Sequence, residues 1–101
     1  MYGQPTTGLE VKTSFLPLMF LLYLCTPRIV INGQENRRPW GTHFWPLEPG
    51  WYNVKVFYPY LFLPQAGANS IDVYVHPGRV TRVQYSMDVP FVFAKGSIRQ
   101  V

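Results

Sequence analysis

The sequence predicts an all-β protein, a single small β-sandwich of about seven short, mainly antiparallel strands. Three observations lead to this fold class. Ten prolines and eight glycines are spread along 101 residues, which disfavours long helices and suits short strands joined by turns. Segments 51–58 and 70–75 alternate apolar and polar residues with the period of two that is typical of half-buried strands. Pro-Gly turns border both segments, and turn signals recur at the near-regular spacing of a two-sheet sandwich.

The clearest element is the turn and strand over residues 47–58. Pro49 presets φ for the second position of a β-turn, and Gly50 tolerates the positive φ of the third position of a type II turn. The strand that follows has two faces, Tyr52, Val54, Val56 and Tyr58 on one side and Trp51, Asn53, Lys55 and Phe57 on the other. This alternation predicts a central strand with one buried face and one mostly solvated face.

The chain before this strand contains a tail, an apolar run and two short strands. We expect a flexible tail over residues 1–9, one sandwich domain over 10–94 and a basic tail over 95–101. Residues 27–33 form a β-branched strand that ends at an Asn-Gly turn signal. A polar loop over 34–39 then leads to a second strand over 40–47.

The apolar run over residues 14–25 has three interpretations. It is shorter than the about 20 residues of a membrane-spanning helix, and Pro17 interrupts it. Glu10 cancels the charge of Lys12 in front of the run, whereas a secretory signal has a positive segment there. We favour a buried strand, broken at Pro17, over contact with a membrane surface or a targeting segment.

The chain after the central strand continues in the same pattern. We expect a loop over 64–69 and an alternating strand over 70–75, with Ile71, Val73 and Val75 inward. His76-Pro77-Gly78 repeats the Pro-Gly turn, and a strand over 79–87 follows. Residues 89–93 add an edge segment, because Pro90 fits poorly in a central strand.

Composition limits the functional classes without choosing one. The net charge is +4 and the pI is about 9.5, which permits attraction to nucleic acid or anionic lipid. Cys25 is the only cysteine, so no intrachain disulfide can form and nothing argues for an oxidising compartment. We therefore expect a cytoplasmic location, with membrane association as the alternative.

No residue pattern indicates catalysis or a cofactor. The glycines are isolated turn residues and make no phosphate-binding loop. His43, His76 and Cys25 have separations that match no metal-ligand spacing. We expect no catalytic residue, no metal site, no cofactor and no enzyme activity, and no small-molecule substrate is evident.

Arginines and aromatic residues supply the candidate contact surface. Guanidiniums beside exposed aromatic rings can hold phosphates and stack bases. The ordinary alternative, which we favour, is that the tryptophans pack in the core while the arginines lie in a solvated loop. The candidate interaction surface comprises Arg37, Arg38, Trp40, His43, Trp45, Tyr58, Tyr60 and Phe62.

The order of strands and turns resembles the small bacterial β-sandwich repeats called PEGA domains. The residues that carry the resemblance are 29–33, 47–56 and 73–85. A group of short actinobacterial proteins is also similar, through Trp40-Gly41, Pro49-Gly50, Pro59-Tyr60 and Lys95-Gly96-Ser97. The resemblance implies a noncatalytic sandwich and brings no catalytic residues.

These observations favour a noncatalytic interaction module that acts by protein–protein contact or self-association. One alternative is a basic nucleic-acid-binding module that uses Arg37, Arg38 and Trp40. The other is a protein associated with a membrane surface through residues 14–25.

Overall fold

The computed structural model describes residues 7–15, 25–60, 63–87 and 96–101, which contain eight strands and no helix. The strands are β1 Gly8–Phe15, β2 Arg28–Ile31, β3 Gln34–Arg37, β4 Gly41–Pro46, β5 Gly50–Tyr60, β6 Leu63–Val75, β7 Val80–Met87 and β8 Ser97–Gln100. They form two four-stranded sheets, sheet A in the order β4-β1-β7-β8 and sheet B in the order β3-β2-β5-β6. The predicted all-β fold with two sheets is confirmed.

Strand β5 is an interior strand of sheet B, as the alternation predicted. It pairs antiparallel with β2 on one side and with β6 on the other. Val54, Val56 and Tyr58 are fully buried, whereas Trp51 on the opposite face is 70% exposed. The alternation therefore directs one face of β5 to the core and leaves the other as the outer face of sheet B.

The core lies between the inner faces of the two sheets. Sheet A contributes from β1 and β7, and sheet B from β2, β5 and β6. The core residues are Leu9, Val11, Ile29, Ile31, Val54, Val56, Tyr58, Ala66, Val73, Val83, Tyr85 and Met87. Ile71 and Ile98 pack against this cluster from its margin.

Strand β1 corrects the expected N-terminal tail. The sequence predicts a flexible tail over residues 1–9, but β1 begins at Gly8 and pairs parallel with β7 and antiparallel with β4. Leu9 and Val11 are fully buried. Burial of this alternating face explains why β1 is an interior strand of sheet A.

Strand β3 corrects the polar loop expected over residues 34–39. The left-handed backbone of Asn32 (φ 50°) and Gly33 (φ 83°) makes a two-residue turn. This turn pairs β3 with β2 from Ile31↔Gln34 to Arg28↔Arg37. The hairpin turn fixes the register, so four polar residues form an edge strand.

Strand β6 corrects the loop expected over residues 64–69. The strand extends from Leu63 to Val75, and its pairing with β5 shifts register between Val56 and Tyr58 and again between Tyr58 and Tyr60. Each shift accommodates one extra residue on β6, which is the effect of a β-bulge. The bulges let β6 continue through residues 64–69, whose glycine and proline content is typical of a loop. Strand β5 likewise continues through Pro59, beyond its last partner on β2.

The C-terminal segment also differs from the expected basic tail over 95–101. Ser97–Gln100 form β8, which pairs antiparallel with β7 from Ser86↔Ser97 to Val83↔Gln100. The amide of Val101 donates a hydrogen bond to the carbonyl of Arg82 (2.9 Å). Backbone pairing holds this mostly polar strand in place, together with the packing of Ile98 against the core.

Tyr85 joins the two sheets on the side where β6 and β8 meet. Its buried hydroxyl donates to the carbonyl oxygen of Gly67 (2.7 Å), which also accepts from the amide of Gly96 (3.0 Å). A Cβ atom on either glycine would lie within 2.5 Å of the Tyr85 side chain. Two glycines therefore make room for the ring, and this side of the sandwich is closed.

Two sequence predictions fall wholly or mostly outside the described residues. Of the apolar run 14–25, only residues 14, 15 and 25 are described, so its three interpretations stay predictions. The edge segment expected over 89–93 also lies outside the described residues.

Candidate functional site

Tyr58 lies in the interior, and Trp40 packs half-buried against the core. The indole N–H of Trp40 donates to the carbonyl of Cys25 (3.0 Å), and its ring stands edge-on to Phe15 at 4.7 Å between centroids. The Tyr58 ring lies 5.6 Å from Trp40 and is fully buried. Because alternation in β5 places Tyr58 beside Val56 on the inner face, its assignment to an exposed surface was wrong.

Arg38, His43 and Trp45 lie close together near edge strand β4. The guanidinium carbon of Arg38 is 5.6 Å from the centroid of the Trp45 ring, within cation–π range. The His43 ring is 6.4 Å from Trp45, and its Nε2–H donates to the carbonyl of Pro39 (2.7 Å). Trp45 is thus held by a cation and a second ring.

Arg37 points away from this group. Its side chain is 71% exposed and lies 3.9 Å from the carboxylate of Glu35, which also pairs with Arg28 at 3.4 Å. Arg38 donates instead to the backbone carbonyl of Arg37 (2.8 Å). The exposed pair of Arg37 with Glu35 contributes only about 0–1 kcal/mol, so Arg37 is held weakly and stays exposed to solvent.

The last two residues of the expected surface are not placed with the others. Tyr60 is described only as the last residue of β5, and Phe62 lies outside the described residues.

A surface that the sequence analysis did not select carries the most exposed large hydrophobic side chain of the described residues. Trp51 is 70% exposed, and its ring lies edge-on to Tyr74 at 5.3 Å. Tyr74 in turn stands edge-on to His76 at 4.8 Å. We call Trp51, Tyr74 and His76 the Trp51 patch. Trp51 and Tyr74 are direct partners across β5 and β6, so the register brings them together.

An open depression of about 390 Å³ adjoins the Trp51 patch. Its lining is Asn32, Trp51, Tyr52, Asn53 and Asp72. The Asn53 amide donates to the Asp72 carboxylate (2.8 Å). The exposed ring and a concave surface therefore lie side by side on the outer face of sheet B.

A second depression, which we call the Trp45 pocket, lies between edge strands β3 and β4. Its volume is about 250 Å³. Its lining is Ile31, Asn32, Gln34, Asn36, Trp45, Leu47 and Tyr52. The sandwich is therefore open on the side opposite the closed β6–β8 side.

The titratable groups of the described residues do not gather into a metal site. No group of three His, Cys, Asp or Glu side chains lies together in residues 7–15, 25–60, 63–87 and 96–101. Burial raises the pKa of the Cys25 thiol, and the positive charge of Arg28 partly offsets this rise. The thiol is therefore held in its protonated, less nucleophilic form.

Comparison with known proteins gives no relative. No family model, no curated protein and no solved structure matches this chain. The resemblance to PEGA domains and to the actinobacterial proteins stays a prediction. Among the described residues, no helix is long and apolar enough to cross a membrane.

Proposed function

We propose that this chain is a noncatalytic β-sandwich interaction module that acts by protein–protein contact, and that the contact is self-association through the Trp51 patch. The observation that carries the proposal is the 70% exposure of Trp51. Tryptophan is enriched among the few residues that dominate binding energy at protein interfaces.

The arrangement of the patch supports a second copy of the chain as the partner. The Trp51 ring projects beside the depression formed with Asn53 and Asp72. When a projection and a concavity lie next to each other on one face, a two-fold axis can place each ring in the other copy's concavity. Such a self-complementary contact closes into a dimer.

The sheet edge is a weaker candidate for the contact. The carbonyl of Tyr74, on edge strand β6, accepts a hydrogen bond from the Thr81 hydroxyl (2.9 Å). The backbone amide of Ser70 donates a hydrogen bond to Oδ1 of Asn69 (2.8 Å). Because side chains already occupy these groups, face contact is favoured over the addition of strands at this edge.

Sedimentation equilibrium of the full chain tests the proposal. We expect the wild-type protein to dimerise reversibly and Trp51→Ser to weaken dimerisation at least about 30-fold, the effect of losing an interface residue worth 2 kcal/mol. Val101→Ser is the matched control, since Val101 is 58% exposed and lies next to β8 in sheet A.

A strictly monomeric wild-type protein at millimolar concentration would contradict self-association. Equal weakening by the Trp51 and Val101 substitutions would contradict the assignment to the patch, because general surface hydrophobicity would then drive the contact.

The other functions considered from the sequence stay predictions with less support. Trp40 is half-buried and packs edge-on against Phe15, which gives less support to a role in stacking nucleic-acid bases. Residues 16–24, on which membrane association depends, lie outside the described residues. We keep a cytoplasmic location within the proposal, in accord with the single cysteine.

A further inference from the structure

The inner face of edge strand β3 departs from the pattern of the rest of the sandwich. Gln34 and Asn36 pair with Ile31 and Ile29 of β2 and share their side of sheet B. Inward positions at the other strands are mostly apolar. Sequences break local patterning most often where a function requires it, and the two amides line the Trp45 pocket.

Two amides of the pocket are held in defined orientations. Asn32 Oδ1 accepts from the backbone N–H of Asn53 (2.8 Å), which leaves its Nδ2 as a donor. Asn36 Nδ2 donates to the carbonyls of Ile29 and Gln34 (both 3.1 Å), which leaves its Oδ1 as an acceptor. The pocket thus offers one fixed donor and one fixed acceptor, and these roles follow from the backbone partners.

The aromatic walls of the pocket are also held in place. Arg38 and His43 contact Trp45. The Tyr52 hydroxyl donates to the carbonyl of Glu48 (2.7 Å). Restrained walls lower the entropy lost on binding, which is how a preorganised site gains affinity.

The Trp45 indole N–H adds an unmet hydrogen-bonding group. It is buried and has no partner among the described residues. Because this N–H is closed to solvent, its NMR signal reports a bound ligand through the packing of the Trp45 ring rather than through a direct hydrogen bond.

We propose that the Trp45 pocket binds one ring of a neutral saccharide. A sugar hydroxyl both donates and accepts, which matches the fixed donor of Asn32 and the fixed acceptor of Asn36. The apolar C–H face of a sugar ring suits the aromatic walls and the side chains of Ile31 and Leu47. No Lys, Arg, Asp or Glu lines the pocket, and the Arg38 guanidinium lies over the Trp45 ring rather than in the lining, so the lining itself supplies no counter-charge for a charged ligand.

This inference does not rest on self-association, because the pocket and the Trp51 patch use different tryptophans. The two sites adjoin at Asn32 and Tyr52, which also line the depression beside Trp51. The two kinds of binding are measured separately, because the NMR signal of the Trp45 indole follows saccharide binding and that of the Trp51 indole follows self-association.

NMR titration of the full chain tests the proposal. The probes are glucose, galactose, mannose, N-acetylglucosamine and their neutral oligosaccharides, with glucuronate as the anionic counterpart. We expect at least one neutral saccharide to shift the Trp45 indole N–H signal with a dissociation constant of about 1 mM or below, and glucuronate to bind about tenfold more weakly.

Asn32→Asp removes the fixed donor while it keeps the turn. Aspartate keeps the oxygen that accepts from Asn53 and tolerates the left-handed backbone at this position, but it removes the Nδ2 donor and adds charge. We expect binding to weaken about tenfold. Gln34→Ala, at an exposed position of β3, is a second variant that leaves the hairpin turn intact. Gln100→Ala in sheet A is the control and should bind as the wild type does.

Three results would overturn the proposal. The first is that no neutral saccharide in the panel shifts the Trp45 signal. The second is that glucuronate binds more tightly than its neutral counterparts. The third is that Asn32→Asp and Gln34→Ala both bind as tightly as Gln100→Ala.

Discussion

Gly67 lies at a position where both the backbone conformation and the packing of neighbouring side chains require glycine. Its φ is +63°, and an added Cβ would lie 2.5 Å from the Tyr85 hydroxyl and 2.9 Å from the Met87 sulfur. Gly33 has a similar φ of +83° but nothing within 4 Å of that position. The two glycines therefore separate the cost of a left-handed backbone from the cost of a clash.

We predict that Gly67→Ala lowers the free energy of unfolding by about 3 kcal/mol and Gly33→Ala by about 1 kcal/mol. Both lose the freedom of a left-handed glycine, at about 1–2 kcal/mol, and only Gly67→Ala also overpacks the core, at about 1–3 kcal/mol. Urea unfolding monitored by circular dichroism measures both. Equal losses would mean that Tyr85 is not packed against Gly67.

Tyr85 should make stability depend on alkaline pH. Burial, reinforced by Tyr58, raises the pKa of the Tyr85 hydroxyl above its ordinary value. Above about pH 10, the unfolded chain loses this proton before the folded protein does. The contribution is therefore fully present below about pH 10 and is lost as pH rises, by up to about 1.4 kcal/mol per pH unit.

We predict that Tyr85→Phe costs about 1 kcal/mol at pH 7, because the hydrogen bond to Gly67 is lost. The same variant should lose less stability than the wild type between about pH 10 and pH 11.5. Urea unfolding at several pH values provides the measurement. Parallel pH dependences for the two proteins would contradict the burial of this hydroxyl.

At the scale of elements, the turn and alternation signals predicted β2, β4, β5 and β7 well. Strand β1 has the same alternation, since Leu9 and Val11 alternate with Glu10 and Lys12. The apolar run over 14–25 is the stronger signal in this part of the chain, so the predicted strand was placed there. Strand β3 carried no such signal. Its polar residues are poor strand formers, and pairing is imposed by the turn at Asn32.

The candidate sites depend on register more than on local pattern. Alternation places Trp51 and Tyr74 on solvated faces, yet their contact follows from pairing between β5 and β6, which sequence alone does not fix. The inward packing of Trp40 depends on Phe15 and Tyr58, residues distant in sequence. Such long-range packing explains why only some residues of the expected contact surface lie close together in the structure.

Strand β8 supplies a prediction at this scale. Its pairing with β7 predicts slow amide hydrogen exchange for the paired residues of Ser97–Gln100, whereas a basic tail would exchange at the rate of an unfolded chain. Deletion of residues 97–101 should also lower the melting temperature, because Ile98 packs against the core. Unprotected amides together with an unchanged melting temperature would contradict β8.

For the whole molecule, net charge distinguishes the two kinds of binding considered. Each copy carries +4, so two copies repel and salt screens the repulsion. We predict that self-association strengthens between about 0.05 and 0.5 M NaCl, whereas binding to nucleic acid would weaken steeply over this range. Sedimentation equilibrium at several salt concentrations measures the effect. Weaker self-association at high salt would contradict an aromatic contact between like-charged copies.

The three tryptophans provide the most direct measurement of self-association. Trp40 and Trp45 are partly buried against the core, whereas Trp51 is exposed on the outer face of sheet B. In a series of two-dimensional NMR spectra at increasing protein concentration, we predict that the Trp51 indole signal shifts progressively while the Trp40 signal stays fixed. A Trp51 signal that does not move while the protein dimerises would contradict the proposed interface.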